Sequence, residues 1–369
     1  MCRLGYHGRP FRSRAITLDR PRHDLDAARR QWLEGLTSEH RDRNEAATAF
    51  ALAQGEWRCG EYARAIVHFI EARDRAPGSA ETHLSLLRCA AMLGHHALER
   101  AALDEGLRLH PAHPGIGLHA ALLAIPGNLG LAREHLSHFP DNATCREFRD
   151  ALDTVIDKTP LPPCPADPAA QARRAALQWV LGHATSPTVH QGLPDRVLQR
   201  ALDAAPAQGL TLECGVYFGR SLGLIAQRTA GAVHGFDSFE GLPEAWSAAE
   251  GPGAYSTGGR MPDVAANVTL HAGWFQDTLP AFLAQNAGPV RLLHVDCDLY
   301  SSTRTVLTAL ADRLVAGSVV VFDDMLAYPG FEQHELRAFE EFVAERGIRW
   351  ELIAACLLGR EVAVRIAGP

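Results

Sequence analysis

Four acidic side chains stand where two apolar runs stop: Asp296 and Asp298 in LLHVDCDLYSST (292–303), and Asp323 and Asp324 in VVVFDDM (319–325). Each run has the length of a buried strand. Neighbouring strands of a parallel sheet lie about 4.8 Å apart, so adjacent tips would gather these carboxylates. Carboxylates so gathered repel one another unless a proton or a cation neutralises them. Oxygen-only donors favour magnesium, manganese or calcium over zinc. The competing reading is a set of solvated or turn-capping aspartates at strand ends.

A second constellation lies upstream. LECGVYFGRSLGLIA (212–226) reads as a strand end with Glu213, a turn eased by Gly215 and Gly219, and a helix opening near Ser221. Glycines after a strand permit close approach of backbone to a ligand, although many sheets place them there for packing alone. Asp237, in GFDSFEGLP, ends the next apolar run about 20 residues on, where an acid can accept both hydroxyls of a ribose. It can equally cap the turn that follows. The connection 241–263 is long and glycine-rich and carries Trp246 and Tyr255, as a lid or binding loop would.

The elements that must position these residues are short apolar runs alternating with helical stretches from Thr211 onward, ending in RWELIAAC and EVAVRI close together. Runs buried on both faces predict a doubly wound α/β sheet with a terminal hairpin and ligands at the strands' carboxyl ends. The chain ahead is different. Residues 44–150 are Ala- and Leu-rich and helical in pattern, and GEYARAIVHFIEARDRAP (60–77) returns 34 residues later as GHHALERAALDEGLRLHP (94–111). Gly60 aligns with Gly94, Phe69 with Leu103 and Pro77 with Pro111, which resembles a tetratricopeptide repeat. An unrelated Ala-rich bundle is the alternative. Residues 1–43 read as a variable, Arg-rich leader and 151–174 as a proline-rich linker, leaving 175–369 as the α/β domain.

The chain has 369 residues, a net charge of -7 and 47% apolar residues, with no basic run to suggest nucleic acid and no apolar run of membrane-spanning length. Eight dispersed cysteines without a CxxC pair fit a reducing, cytoplasmic setting better than a disulfide framework. Of 36 basic residues 35 are Arg, and Lys158 is the single lysine. Chemistry that needs a lysine in the α/β half is therefore excluded.

In order, ECGVYFGRS, DSFEGLPEAW, GWFQDTLP, DCDLYSST and FDDM resemble the macrocin O-methyltransferase family, whose members methylate sugar hydroxyls of macrolides and related glycosides. The resemblance covers about residues 205–345, and the first motif is also similar to metal-dependent catechol O-methyltransferases. It implies a class I, Rossmann-like seven-stranded sheet ordered 3-2-1-4-5-7-6 with strand seven antiparallel. It also implies S-adenosylmethionine as cofactor, its methionine part surrounded by Glu213, Gly215 and Ser221 with Gly219 in the same cofactor-binding loop, its ribose held by Asp237, and its adenine near Trp274, Phe275 and Gln276. Asp296, Asp323 and Asp324 match the ligands of Mg2+ or another divalent cation; the role of Asp298 is less defined.

Asp296 is the expected proton acceptor, with His271, His294 and His334 as alternative bases. Arg220 stands where related sequences often carry Gly, facing solvent, substrate or the neighbouring domain. The expected partners are a hydroxylated small molecule or glycan, a protein bound by the repeats, and a second copy of the chain. The alternative function is a tetratricopeptide interaction module with a weakly active or inactive methyltransferase-like domain. A dehydrogenase is disfavoured because GxGxxG is lacking.

Overall fold

A computed structural model describes residues 45–186 and 189–368. The expected leader, 1–43, lies outside the described residues. The helical half is a succession of packed pairs: α1 (Glu45–Arg58) on α2 (Tyr62–Arg75), α3 (Ala80–Met92) on α4 (His96–Leu109), and α5 (Pro114–Ala124) on α6 (Leu129–Ser137), closed by α7 (Ala143–Asp157). Ala53, Ala65, Ala72 and Ala102 are buried between the first pairs beside Phe69, Leu86, Leu87 and Leu103. Small residues bring helices close and large ones fill between neighbouring pairs. The 34-residue period is visible in the backbone, because Gly60 and Gly94 end corresponding helices at φ +74° and +67°.

The irregular stretch is shorter than the expected linker. Residues 158–167 lack helix and strand, whereas 151–157 finish α7 and 168–174 begin α8 (Pro168–His183). Pro168 opens that helix, where no amide donor is needed, and the Asp167 carboxylate accepts the Ala170 N–H at 2.9 Å.

The second half is a sheet of eight strands, one more than expected: β1 (His190–Gln191), β2 (Leu210–Cys214), β3 (Val233–Asp237), β4 (Val268–Ala272), β5 (Val290–Val295), β6 (Val319–Phe322), β7 (Arg349–Cys356) and β8 (Val362–Gly368). Their order is β1-β7-β8-β6-β5-β2-β3-β4, with β8 antiparallel to both neighbours and every other pair parallel. Without β1 this is the anticipated order. The two residues of β1 add an edge beside β7 and have no apolar pattern to announce them.

Alternation along β6 shows why its sequence is continuously apolar. Val319 and Val321 face α9 (Pro194–Ala204) and α10 (Arg220–Gln227), while Val320 and Phe322 face a core built with α11 (Phe275–Gln285), α12 (Tyr300–Leu310) and α13 (Glu335–Arg346).

The halves share a core. Leu118, Leu122 and Leu152 of the helices cluster with Leu193, Leu357 and Leu358 from the sheet side, and Leu177 of α8 lies among them. Gly192 sits so close that a Cβ there would lie 2.0 Å from the Leu122 carbonyl oxygen. A polar seam runs alongside: Arg196 donates to buried Glu99 at 2.7 Å, and Glu99 also meets His119 at 2.9 Å. No described helix is long and apolar enough to cross a membrane.

Asp195 lies in that seam at 4% exposure, and burial, opposed by Arg196, raises its carboxyl from 3.8 to about 7. The folded chain thus holds a proton there that the unfolded chain releases. The associated stability is full below the unfolded value and is lost as pH rises through the folded one. Asp195→Asn is expected to flatten the fall in stability between pH 3.8 and about 7, read by denaturant titration at several pH values. An unchanged slope would place the ionised carboxylate comfortably in the seam.

Candidate active site

The tips of β2, β3, β5 and β6 open into one cavity of about 800 Å³. Its volume lies in the upper part of the range for ligand sites, about 300–1,000 Å³. Gly215, Ser221, Asp237, Trp274, Phe275 and Gln276 line one part, and Asp296, Asp298, Asp323 and Asp324 another. The two sequence constellations therefore meet in one space.

Gly215 is required twice over. It adopts φ +93°, and a Cβ would lie 1.8 Å from the Asp296 carbonyl oxygen. Gly219, at φ +77°, forms the N-cap of α10 and places Ser221 in its first turn. Asp237 shapes the loop between them: one carboxylate oxygen accepts the Val216 and Tyr217 amides at 2.8 Å each, and the other accepts the Phe239 amide at 2.7 Å. Each carboxylate oxygen has two lone-pair sites, so the second keeps acceptor capacity toward the cavity.

Gly219 shapes the turn without lining the cavity, and two further expected residues lie elsewhere. Glu213 does not line the cavity; it is fully buried, and its Oε1 meets His294 Nδ1 at 2.9 Å. It supports the floor from beneath, because side chains alternate along β2 and Glu213 turns toward His294 on β5. His271 does not line the cavity either. Its ring stacks on Phe236 at 4.5 Å and lies 3.2 Å from His234 Nδ1, packed against Phe282 of α11, which removes it as a base.

The carboxylates converge in a different trio from the expected one. Ligand oxygens of Asp296, Asp298 and Asp324 all lie within 4.8 Å of one another, while Asp323 turns its Oδ1 to His294 Nε2 at 3.7 Å. Asp298 reaches the trio by adopting φ +60°, a left-handed conformation that costs a non-glycine residue energy and is met at functional sites. Around these four, Glu213, Glu335 and Glu361 complete a set of seven acids; Glu335 lies close enough for its Oε2 to accept the Asp324 amide at 3.3 Å.

Burial and the surrounding carboxylates push Asp296, Asp298 and Glu335 well above the ordinary carboxylate range. Two positive side chains are paired within the set. His294 is one: burial disfavours its charge, but Glu213 and Asp323 outweigh that and raise it to about 9, so the ring is protonated and occupied at neutral pH. Arg360, in the turn between β7 and β8, is the other, donating to Asp324 Oδ1. Two cations among seven acids leave most of the carboxyls without a positive partner, and three oxygen donors converging in a cavity fit a hard divalent ion.

Residues 212–325 match the family model of a methyltransferase domain. The methyltransferase match begins in β2 and ends just after β6, so it takes in both constellations and leaves the helices outside. No curated protein matches the sequence. Among solved structures, the O-methyltransferase NovP is similar at 23% identity, with 46% of this chain and 78% of that chain covered and a TM-score of 0.36. CalS11, described as TDP-rhamnose 3'-O-methyltransferase of calicheamicin biosynthesis, is similar at 23% identity, with 61% and 95% covered and a TM-score of 0.33. TomG from Streptomyces achromogenes is similar at 19% identity, with 56% and 92% covered and a TM-score of 0.33.

Sequence reasoning did not single out Arg360 or Tyr328. Arg360 lies over the rings of Tyr328 at 4.9 Å and Trp246 at 5.5 Å while it grips Asp324. Trp246 is thereby pinned to the sheet side and does not line the cavity, whereas Tyr255, from the same long loop, does. His334 lies 6.4 Å from the Trp246 ring in this outer packing and is likewise absent from the lining. Nothing in a lone Arg between two apolar runs signals such a role. Arg220 faces both the main cavity and a small crevice shared with Arg88, Met92 and Asp195.

Gly215→Ala is expected to cost about 2–5 kcal/mol in a denaturant titration, since overpacking adds to left-handed strain. Wild-type stability in that variant would mean that the β2 and β5 tips separate more easily than their contact implies.

Proposed function

We propose that the chain is a metal-dependent O-methyltransferase that moves the methyl group of S-adenosylmethionine to a hydroxyl of a sugar, glycoside or polysaccharide. The observation that carries this is the single cavity joining the glycine loop, Asp237 and Trp274 to the Asp296, Asp298 and Asp324 trio. The match to a methyltransferase domain over residues 212–325 supports it.

The cofactor supplies an electrophilic methyl group, and a divalent ion supplies a Lewis acid that makes a hydroxyl easier to deprotonate. The remaining work falls to the chain. Gly215 lets the backbone approach the cofactor closely, and the Asp237 carboxylate fixes the 216–217 amides while offering an acceptor to ribose hydroxyls. Trp274, Phe275 and Gln276 provide a flat, partly apolar wall for adenine. Asp296, Asp298 and Asp324 would hold the ion, and Asp296, ionised beside it, would accept the proton of the attacking hydroxyl. His294 is engaged by Glu213 and Asp323 and serves to orient the floor. Tyr217, Phe218 and Tyr255 limit water, so that oxygen and methyl are held in line. The stacked helix pairs are read as tetratricopeptide-like repeats.

Calorimetry with S-adenosylmethionine tests the cofactor half: the wild type binds, and Asp237→Ala weakens binding by about tenfold or more. Full affinity in that variant would falsify the ribose assignment. Methyl transfer into glycoside and polysaccharide extracts tests the metal half. EDTA is expected to abolish it and Mg2+ to restore it, and activity indifferent to EDTA removes the ion from the reading.

A further inference from the structure

The cavity is not walled by the methyltransferase domain alone. Trp57 and Arg58, at the end of α1, Tyr62, at the start of α2, and Met92, at the end of α3, line it as well. The α1–α2 turn is seated firmly. Gly60 approaches Phe218 so closely that a Cβ would lie 2.4 Å from its Cγ, and Gly94, one repeat later, approaches Leu224 to 2.8 Å by the same measure. Arg260 closes the seat from the other side, donating to the Cys59 carbonyl at 3.4 Å with its guanidinium 5.6 Å from the Phe218 ring centre. The glycines that mark the repeat period are thus the points where the repeats meet the domain that they cover.

This wall is seated on the glycine loop and α10, and it opens on the same cavity as the carboxylates. Trp57 and Tyr62 form an edge-to-face pair at 4.8 Å, and Phe218, under their turn, touches Tyr217 at 4.0 Å. Tyr217 meets Tyr255 edge-to-face at 6.0 Å, and Tyr255 lies near enough to Asp298 and Asp324 to feel their charge. Trp57, Tyr62, Tyr217, Phe218 and Tyr255 therefore give the cavity an aromatic lining shared by the helices and the loops. Flat aromatic faces suit sugar rings, whose C–H bonds stack and whose hydroxyls find donors at the edge, and the Arg58 guanidinium supplies donors there.

We infer that the helical repeats form the outer part of the acceptor site, and that the acceptor is a glycoside of two or more rings. The ring to be methylated lies at the carboxylate trio and a second ring lies against Trp57 and Tyr62. This inference rests on the methyltransferase reading above. It makes Trp57 and Tyr62 specificity-determining residues contributed from outside the matched domain.

The test uses the full chain, S-adenosylmethionine labelled in its methyl group, and a mixed glycoside extract whose labelled products are sized by chromatography. The wild type is expected to label products of two rings and longer. A Trp57→Ala/Tyr62→Ala variant is expected to lose about tenfold of that label while calorimetry shows unchanged S-adenosylmethionine affinity. Trp57→Phe with Tyr62→Phe keeps the rings and is expected to restore most of it, which separates loss of stacking from loss of fold. Unchanged labelling in the Ala variant overturns the inference, as does label confined to single-ring products or no label in a wild type that binds the cofactor. A parallel loss of cofactor affinity in a folded Ala variant overturns it too, by assigning the wall to the cofactor. Failure of the wild type to bind S-adenosylmethionine at all would instead bring down the methyltransferase reading beneath it.

Discussion

The structure depends on how a group of carboxyls is kept at the tips of β5 and β6 without driving the strands apart. Coulomb repulsion between charges a few ångströms apart grows as water is excluded, and these acids are largely shielded by the sheet and the loops above it. Their neighbours divide the task. His294 sits below and takes Glu213 and Asp323; Arg360 reaches in from the side and takes Asp324. Asp296 and Asp298 remain, and with Asp324 they face the cavity as a trio, so the carboxyls that are hardest to bury are delivered where a ligand can meet them. Gly215, pressed on the Asp296 carbonyl, and Asp298, bent into left-handed geometry, are local costs of that delivery.

Much of the sheet was legible because burial on both faces leaves a plain signature. TLECGV, AVHGFD, VRLLHVD and SVVVFDD became β2, β3, β5 and β6, and the terminal pair became the β7–β8 hairpin. The two-residue β1 was not legible, since so short an edge has neither alternation nor an apolar run. Residue type and strand end sufficed to bring Asp237, Trp274 and Asp296 to one cavity. They did not suffice to fix which way each side chain turns. In FDDM both aspartates follow the last residue of β6, where no strand alternation fixes their direction, and the sequence alone does not say that Asp324 reaches the trio while Asp323 turns to His294. Alternation along β4 turns His271 toward Phe282, so that it packs beneath α11.

Interdomain relations were the least legible. The proline-rich stretch suggested two bodies joined by a tether, and residues 158–167 are indeed irregular. Yet Leu118, Leu122, Leu193 and Leu357 share one core, and Glu99 meets Arg196 across 97 positions of sequence. Such contacts arise between segments that are each locally self-consistent, so nothing in either one points to the other. Arg360 illustrates this: it is an unremarkable turn residue until the hairpin folds it over Trp246 and Asp324.

The seat of Gly60 on Phe218 has a bearing on descent. Exchanging one helical array for another is an easy route to new specificity when modules touch lightly, but here the turn leaves no room for even a methyl group against that ring. A lineage that replaces this glycine must shrink or reorient the aromatic residue opposite it, and one that enlarges residue 218 must reshape the turn. Repeat and glycine loop are therefore expected to have diversified as a coupled pair, each recording in its sequence the history of the other.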